Sequence, residues 1–447
     1  MNIILFAQIV VFTFITIVTF FFFFKRSKAV YRNIMLGKSA NISGSKVARI
    51  KNMLLIAFGQ KKMFKNPLVA VLHLAIYVAF VITQIELIEI FIDGYSGHHR
   101  LIYHAIEHVS VLRSLYVVGV NTIEVLSVLA FIATIIFLSR RNLLKLPRLN
   151  MAELNGWAKL DANLILCFEI YLIICIFSMN AADTALHFNK TGSGYGFMLS
   201  GMIAKMIYLL PHKVLVVWER LGWWGHIAGV LAFMLYLPSS KHLHILLAFP
   251  NTYFARLQPK GTLSNLASVT KEIQLMMNPE TAYAPSATTA EPERFGAKDI
   301  QDLSWKNLLD AMSCTECGRC TAACPANLTG KLLSPRKIMM NTRDRMEEVG
   351  RNMDANAGKF IDDGKSLIEN GYVSVEELRA CTTCNACVEE CPIMINPLDI
   401  IIELRRSLIL EDSNSPEEWN GMFANIENNA APWQFSQQDR LNWADEK

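Results

Sequence analysis

Twice along this chain four cysteines recur with one spacing and one final proline. The first run reads Cys314-Thr-Glu-Cys317-Gly-Arg-Cys320-Thr-Ala-Ala-Cys324-Pro325, and the second reads Cys381-Thr-Thr-Cys384-Asn-Ala-Cys387-Val-Glu-Glu-Cys391-Pro392. Two-residue gaps let three thiolates of one loop converge on three corners of an iron–sulfur cube, while the cysteine before proline points away to a second cube. The spacing therefore predicts two 4Fe–4S clusters, one held by Cys314, Cys317, Cys320 and Cys391, the other by Cys381, Cys384, Cys387 and Cys324. Crosswise sharing obliges the two runs to fold as one unit. Zinc knuckles need neither the third evenly spaced cysteine nor the Cys-Pro pair, and a cysteine at every third position suits a metal cluster better than disulfides. Cys167 and Cys175 stand apart in an apolar stretch and read as small core hydrophobes.

The cysteine runs lie in the polar half of a divided chain. Of the 447 residues 52% are hydrophobic, and the apolar mass falls almost wholly before residue 250. Residues 3–24 form an unbroken apolar run ending at Lys25-Arg26 with no small-residue cleavage site, so they read as a membrane anchor. Further stretches at about 67–92, 112–138, 162–181 and 214–238 make five spans. A shorter one, 196–210, stops at Pro211 and reads as interfacial or re-entrant. The segment 25–66 holds eleven Lys or Arg and no Asp or Glu, and 139–161 begins Arg140-Arg141. The positive-inside rule then puts the N-terminus outside a cell inner membrane, with 25–66, 139–161 and everything after about 240 in the cytoplasm. The net charge of +4 is modest and sits in loops beside the apolar segments, which argues for orientation in a membrane and against nucleic-acid binding. A polar, proline-punctuated connector fills 259–299. A mainly helical soluble domain follows at 300–412 (Trp305–Ala311, Pro335–Glu348, Val375–Ala380, Pro397–Leu410), then an acidic tail, 413–447, with Trp419, Trp433 and Trp443.

Ionisable residues at membrane depth are functional candidates. His73 falls one to two turns inside the cytoplasmic end of the second span, His226 midway along the fifth, and His242 and His244 at its cytoplasmic end. His226 and His244 are 18 residues apart, five turns of one continuous helix, so both imidazoles face the same way. Such a pair at two depths predicts one b heme, with a second if partners exist. His73 with His244 or His242 makes the cytoplasmic pair. His104 and His108, four apart on one helical face near the outer surface, are the remaining options for the outer one. His98, His99, His187 and His212 read as solvated loop residues. Glu86, Glu89, Glu124 and Glu169 also lie at membrane depth, and Glu86 or Glu89 suits protonation of a quinone near the bilayer surface.

These residues together carry a resemblance. The membrane half, through His226, Pro238-Ser-Ser-Lys241-His242-Leu-His244 and Pro250-Asn251, resembles the heme b gamma subunit of respiratory nitrate reductases and the cytochrome subunit of membrane-bound heterodisulfide reductases. The soluble half is similar to the cluster-binding part of heterodisulfide reductase catalytic subunits, through both cysteine runs and Leu333-Ser334-Pro335-Arg336. The long interval between Cys324 and Cys381 makes it similar to the α-helical ferredoxin domain of succinate dehydrogenase iron–sulfur subunits. The resemblance implies an all-α chain: a five-helix transmembrane heme b-type bundle (1–258), a linker, and an α-helical ferredoxin domain with two 4Fe–4S clusters. It implies electron transfer between a quinone and a soluble redox partner. The gamma subunits carry two heme histidines on their second helix, where this chain has His73. No Cys follows Cys391, so the cysteine-rich CCG module of the family is expected on a separate subunit, as is any flavoprotein donor. The alternatives are the membrane subunit of a disulfide-reducing complex, and a non-catalytic redox sensor or assembly factor.

Overall fold

The computed structural model describes residues 3–191, 195–278, 294–434 and 436–445. Among them the chain is helices joined by turns, with two isolated β-bridges and no sheet. Five helices are long and apolar enough to cross a membrane: α1 (Ile3–Ile34), α2 (Pro67–Ser96), α3 (Ser110–Asn142), α4 (Trp157–Thr191) and α5 (His212–Tyr236). At 1.5 Å per residue the 30 residues of α2 reach about 45 Å, enough to cross the apolar core with turns to spare. Local chemistry sets its ends. Pro67 starts α2 where no N–H is needed, Asn66 accepts from the Val69 N–H, and Gly97 at φ 70° stops it.

The bundle packs closely where side chains vanish. Gly222 and Gly229 put bare backbone of α5 against α4; a Cβ on Gly222 would stand 2.8 Å from the Met179 nitrogen, and one on Gly229 2.8 Å from Leu172 and Tyr171. Small residues at such a seam are how membrane helices gain van der Waals contact. The short stretch before Pro211 forms the helix Leu199–Ile207, whose first N–H groups, Leu199 and Ser200, donate to Glu124 of α3 (2.7 and 2.8 Å).

The fifth span differs from the continuous helix expected through residue 244. It ends at Tyr236, passes through two 3₁₀ turns (Leu237–Ser239 and Lys241–Leu243), and restarts as α6 (His244–Tyr253). Pro238 cannot donate to the ladder, and Asp161 of α4 holds the turn that follows, accepting from the Tyr236 hydroxyl, the Ser240 hydroxyl (2.6 Å) and the Lys241 N–H (3.1 Å).

The cysteine-bearing domain stands on α7 (Trp305–Ser313), α8 (Pro335–Ala355) and α9 (Pro397–Leu410). Its core contains Leu308, Ile338, Met346, Ile400 and Leu404, and extends without interruption to Ile34 of α1 and to Leu237 and Leu243 of the broken turn. The chain after α1 is also pinned to it by backbone: Lys38 N–H donates to Leu303 (2.8 Å) and Trp305 N–H donates back to Lys38 (3.0 Å). Arg345, fully buried, is held by Asp299 and Asp363. Part of the expected connector is a helix, Ala267–Met277, while 279–293 lie outside the described residues. The tail returns to the domain, where Arg379 lies over the Trp419 ring.

Candidate functional site

The two cysteine loops are built alike. Helix α7 delivers Cys314 at its C-terminal end, and the short helix Val375–Arg379 leads into Cys381 in the same way. Positive φ then recurs at equivalent positions: Glu316 (56°) and Gly318 (73°) in the first loop, Thr383 (55°) and Asn385 (62°) in the second. Alternating right- and left-handed residues turn successive N–H groups into one concavity, a nest that favours anionic clusters. Strained residues of this kind cost about 1–3 kcal/mol each and persist where the surroundings impose them. Gly318 has a further reason. A Cβ there would stand 2.5 Å from Arg336 and 2.9 Å from the Arg148 carbonyl.

The sulfurs then fall into two sets. One enclosed void is lined by Cys314, Cys317 and Cys320 together with Cys391 from the other run, beside Arg319 and Arg336. Cys387 has Cys381 and Cys384 as near neighbours, with Cys324 from the first run. All these cysteines are free thiols. Among the described residues no three His, Cys, Asp or Glu side chains converge closely enough for a single metal ion. Sulfurs spread around a void suit a cube, which offers each thiolate its own iron, and do not suit tetrahedral zinc.

Electrostatics point the same way. Burial first, then Glu316 and Cys317, push Cys314 up to about 11, and burial with neighbouring sulfurs pushes Cys387 and Cys391 up to about 12. Bare thiols so placed keep their protons, and a multiply charged metal core is what makes thiolates of them. Backbone N–H groups already aim at sulfur: Ile395 at Cys391 (3.2 Å) and Thr383 at Cys381 (3.4 Å), the kind of bond that tunes a cluster's potential.

The first sulfur set lies against the membrane half. Glu316, in the Cys314–Cys317 gap, pairs with Lys241 of the broken turn and with Arg343 (2.7 Å). Lys241 also donates to the Ala158 carbonyl (2.6 Å). Arg336 bridges from the void to Glu153 and the Arg148 carbonyl (both 2.6 Å), and Arg319 reaches the Lys62 carbonyl (3.3 Å).

Three predicted histidines meet at this junction. His242 and His244 have ring centroids 5.4 Å apart, and His73 of α2 is a near neighbour of His242. Nδ1 of His73 bonds the Gln60 side chain (3.0 Å) and Nδ1 of His244 the Lys241 carbonyl (3.1 Å), leaving each Nε2 free. Anchoring one ring nitrogen to a carbonyl is the usual support of a metal-ligating histidine. Burial pushes His242, with help from its neighbouring imidazoles, down to about 3 and also pushes His244 down, so both remain neutral, the form that binds metal.

The other histidines stand elsewhere. His226 lies inside the bundle with Nδ1 buried and without a hydrogen-bond partner. Because α5 breaks after Tyr236, its facing does not carry through to His244. His104 and His108 do not share a helical face: the helix Leu101–Ile106 ends between them, both are exposed, and Glu107 lies beside each. His99 is no solvated loop residue, since its Nε2 bonds the buried Asp183 (2.6 Å), and His187 stacks on Tyr195 within α4. Glu86 and Glu89 belong to a buried polar network around Arg100. Lys241, Glu316, Arg336 and Arg100 were missed by sequence reasoning. Lys241 and Arg336 had a signal, since each stands in a stretch that carries the family resemblance, Pro238 to His244 and Leu333 to Arg336.

Comparisons with known proteins agree with the cysteine domain. Residues 306–392 match the family model for a 4Fe-4S dicluster domain. The probable iron-sulfur-binding oxidoreductase FadF of Bacillus subtilis is 27% identical over 99% of this chain and 61% of its own length. The EtfAB:quinone oxidoreductase of Syntrophomonas wolfei is 27% identical over 92% of this chain and 56% of its own. One subunit of the ferredoxin/F(420)H(2)-dependent CoB-CoM heterodisulfide reductase of Methanosarcina acetivorans is 34% identical over 24% of this chain and 53% of its own. These homologues are iron–sulfur oxidoreductases or their subunits, as the sequence resemblance implied. The chain spans about three fifths of the length of the first two. No solved structure matches it.

Proposed function

We propose that this chain is an electron-transfer subunit that connects a membrane quinone, through heme b and two 4Fe–4S clusters, to a soluble redox partner. The observation that carries this reading is the junction at Lys241, where the loop bearing Cys314 and Cys317 is tied to the turn bearing His242 and His244. Electron hopping needs short distances held rigidly, and a buried ion pair bonded on both sides supplies that rigidity. Cys314, Cys317, Cys320 and Cys391 would hold the cube next to the membrane half, and Cys381, Cys384, Cys387 and Cys324 the outer one. His73 and His244 are the residues we assign to a b heme, with His242 beside them. When bound, these groups supply one-electron carriers at both places. Cys384 and the adjacent Thr382 and Thr383 are exposed, which suits exchange with a soluble partner. That partner would be a flavoprotein or a CCG-type subunit. Quinone as the membrane carrier draws support from the name of the Syntrophomonas relative, and the basic 25–66 segment supports a cytoplasmic cluster domain.

The test is a reductive titration of the purified full chain, followed by optical and paramagnetic resonance spectra. The expected result is two interacting 4Fe–4S signals and a b-type α-band, all reducible by quinol. Iron without acid-labile sulfide would overturn the cluster assignment. Cluster signals without an α-band would overturn the heme assignment.

A further inference from the structure

The end of the bundle opposite the cysteine domain buries more carboxylates than it has cations to answer them. Arg100, 3% exposed, enters from the turn after α2 and donates to Asp183 (2.5 Å), Asn180 (2.6 Å) and the Tyr116 hydroxyl (3.1 Å), with Tyr195 and Phe197 packed over its guanidinium. Six carboxylates are buried around it: Glu86, Glu89, Asp93, Glu124, Asp183 and Glu219.

Four of the six are answered. Asp183 has Arg100 and His99. Glu89 accepts from the Tyr116 hydroxyl (2.8 Å) and the Tyr103 N–H (3.3 Å), 3.8 Å from Arg100. Asp93 accepts the N–H groups of Arg100 and Leu101 (2.8 and 3.0 Å), and Glu124 caps Leu199–Ile207. Two are not. Glu86 accepts a single bond, from the Asn180 amide (2.9 Å), and forms no ion pair among the described residues. Glu219, 4% exposed, turns one oxygen to the half-exposed Arg220 (3.1 Å), while its other oxygen is buried and unpartnered. A buried carboxylate with so few partners is a place where a proton can be held.

We propose that Glu86 and Glu219 carry exchangeable protons, replenished from the surface opposite the clusters at His99. His99 is the mouth of this route: its side chain is 31% exposed, and its Nε2 lies 2.6 Å from Asp183. The purpose rests on the quinone-linked reading, since a quinone that takes up two electrons must also take up two protons to leave as quinol. The proton site itself rests on the geometry above.

Infrared spectra of the full chain in lipid vesicles, recorded during exchange into deuterated buffer, test it without turnover. Wild type should show a protonated carboxylic C=O band that shifts on exchange. Glu86→Gln and Glu219→Gln should each remove a component of it, and His99→Gln should keep the band but slow its shift at least tenfold. Cluster resonance signals report whether each variant is assembled, and Glu219→Asp, which keeps the acid, serves if Gln variants do not assemble: its band should shift in frequency. Bands unchanged in all the Glu variants, or exchange unslowed in His99→Gln, overturn the proposal. Reduction of the wild-type clusters by a short-chain quinol is read separately. Bands without that reduction sink the quinone reading alone, and reduction without bands sinks only this inference.

Discussion

At the scale of single residues, the cysteine loops are held by what presses on them from outside. Gly318 is placed by φ and by crowding together, because a methyl group there meets a guanidinium and a carbonyl that are themselves locked in the bond of Arg336 to Arg148. Gly318→Ala should therefore cost more than the 1–3 kcal/mol or so of backbone strain alone. It should empty the set Cys314, Cys317, Cys320 and Cys391 first, and iron and sulfide analysis with spin quantification would show one cluster lost and the other largely kept. The Arg336–Glu153 pair gives a pH dependence with a definite sign. Burial alone would raise Glu153, but the hydrogen bond and charge of Arg336, with the Ser334 hydroxyl and a backbone N–H, together outweigh it and hold the carboxyl below its ordinary 4.5. A group depressed in the folded state contributes stability above its unfolded value and loses it as the pH falls through the folded one. The melting temperature of wild type should thus drop as the pH goes below 4.5, whereas Glu153→Gln should start lower and lose less over that range. Equal slopes for the two would remove Glu153 from the account.

At the scale of elements, the break in α5 shows what the sequence could announce and what it could not. The five spans were legible because twenty or so apolar residues have few other fates, and the dicluster domain because ligand spacing is a local property of the chain. The break was half legible. Pro238 announces an interruption, but the residue that fastens the turn after it, Asp161, lies 79 positions before Ser240 in sequence. The same blindness paired His104 with His108, since spacing by four means a shared face only while the helix lasts. Asp161→Asn keeps the size and removes the charge that Lys241, Ser240 and Tyr236 address. The loss should be about 1–3 kcal/mol, felt at the turn that orients His242 and His244. The expected outcome is a b-type band of lower occupancy or altered position beside intact cluster signals. Loss of clusters with heme unaffected would contradict the role given to the break.

At the scale of the whole molecule, the membrane half and the cysteine domain form one body, because Ile34, Leu237 and Leu243 are part of the same core as Leu308 and Ile400. The change in composition near residue 258 is crossed by contacts between residues from about 75 to more than 250 positions apart. Lys241 is the most exacting of them. It is buried, it faces Asp161 and Glu316, and it donates to the Ala158 carbonyl, so it fastens α4, the histidine turn and the first cysteine loop at one nitrogen. Lys241→Met keeps much of the stem's apolar contact and deletes the charge. Glu316 retains Arg343, so the cost should fall at or below the lower end of the roughly 3–5 kcal/mol seen when a buried pair loses one partner. The domain should stay attached through its shared core, and both clusters and the proposed b heme should remain. What should change is the rate at which quinol reduces the clusters, because the distance and angle between the two redox-bearing segments are no longer fixed. Stopped-flow reduction of the variant should show the heme reduced at the wild-type rate and the clusters at least tenfold more slowly. If both steps keep their wild-type rates, the ion pair at Lys241 is a structural fastening with no part in electron transfer, and the junction loses its place as the observation on which the function rests.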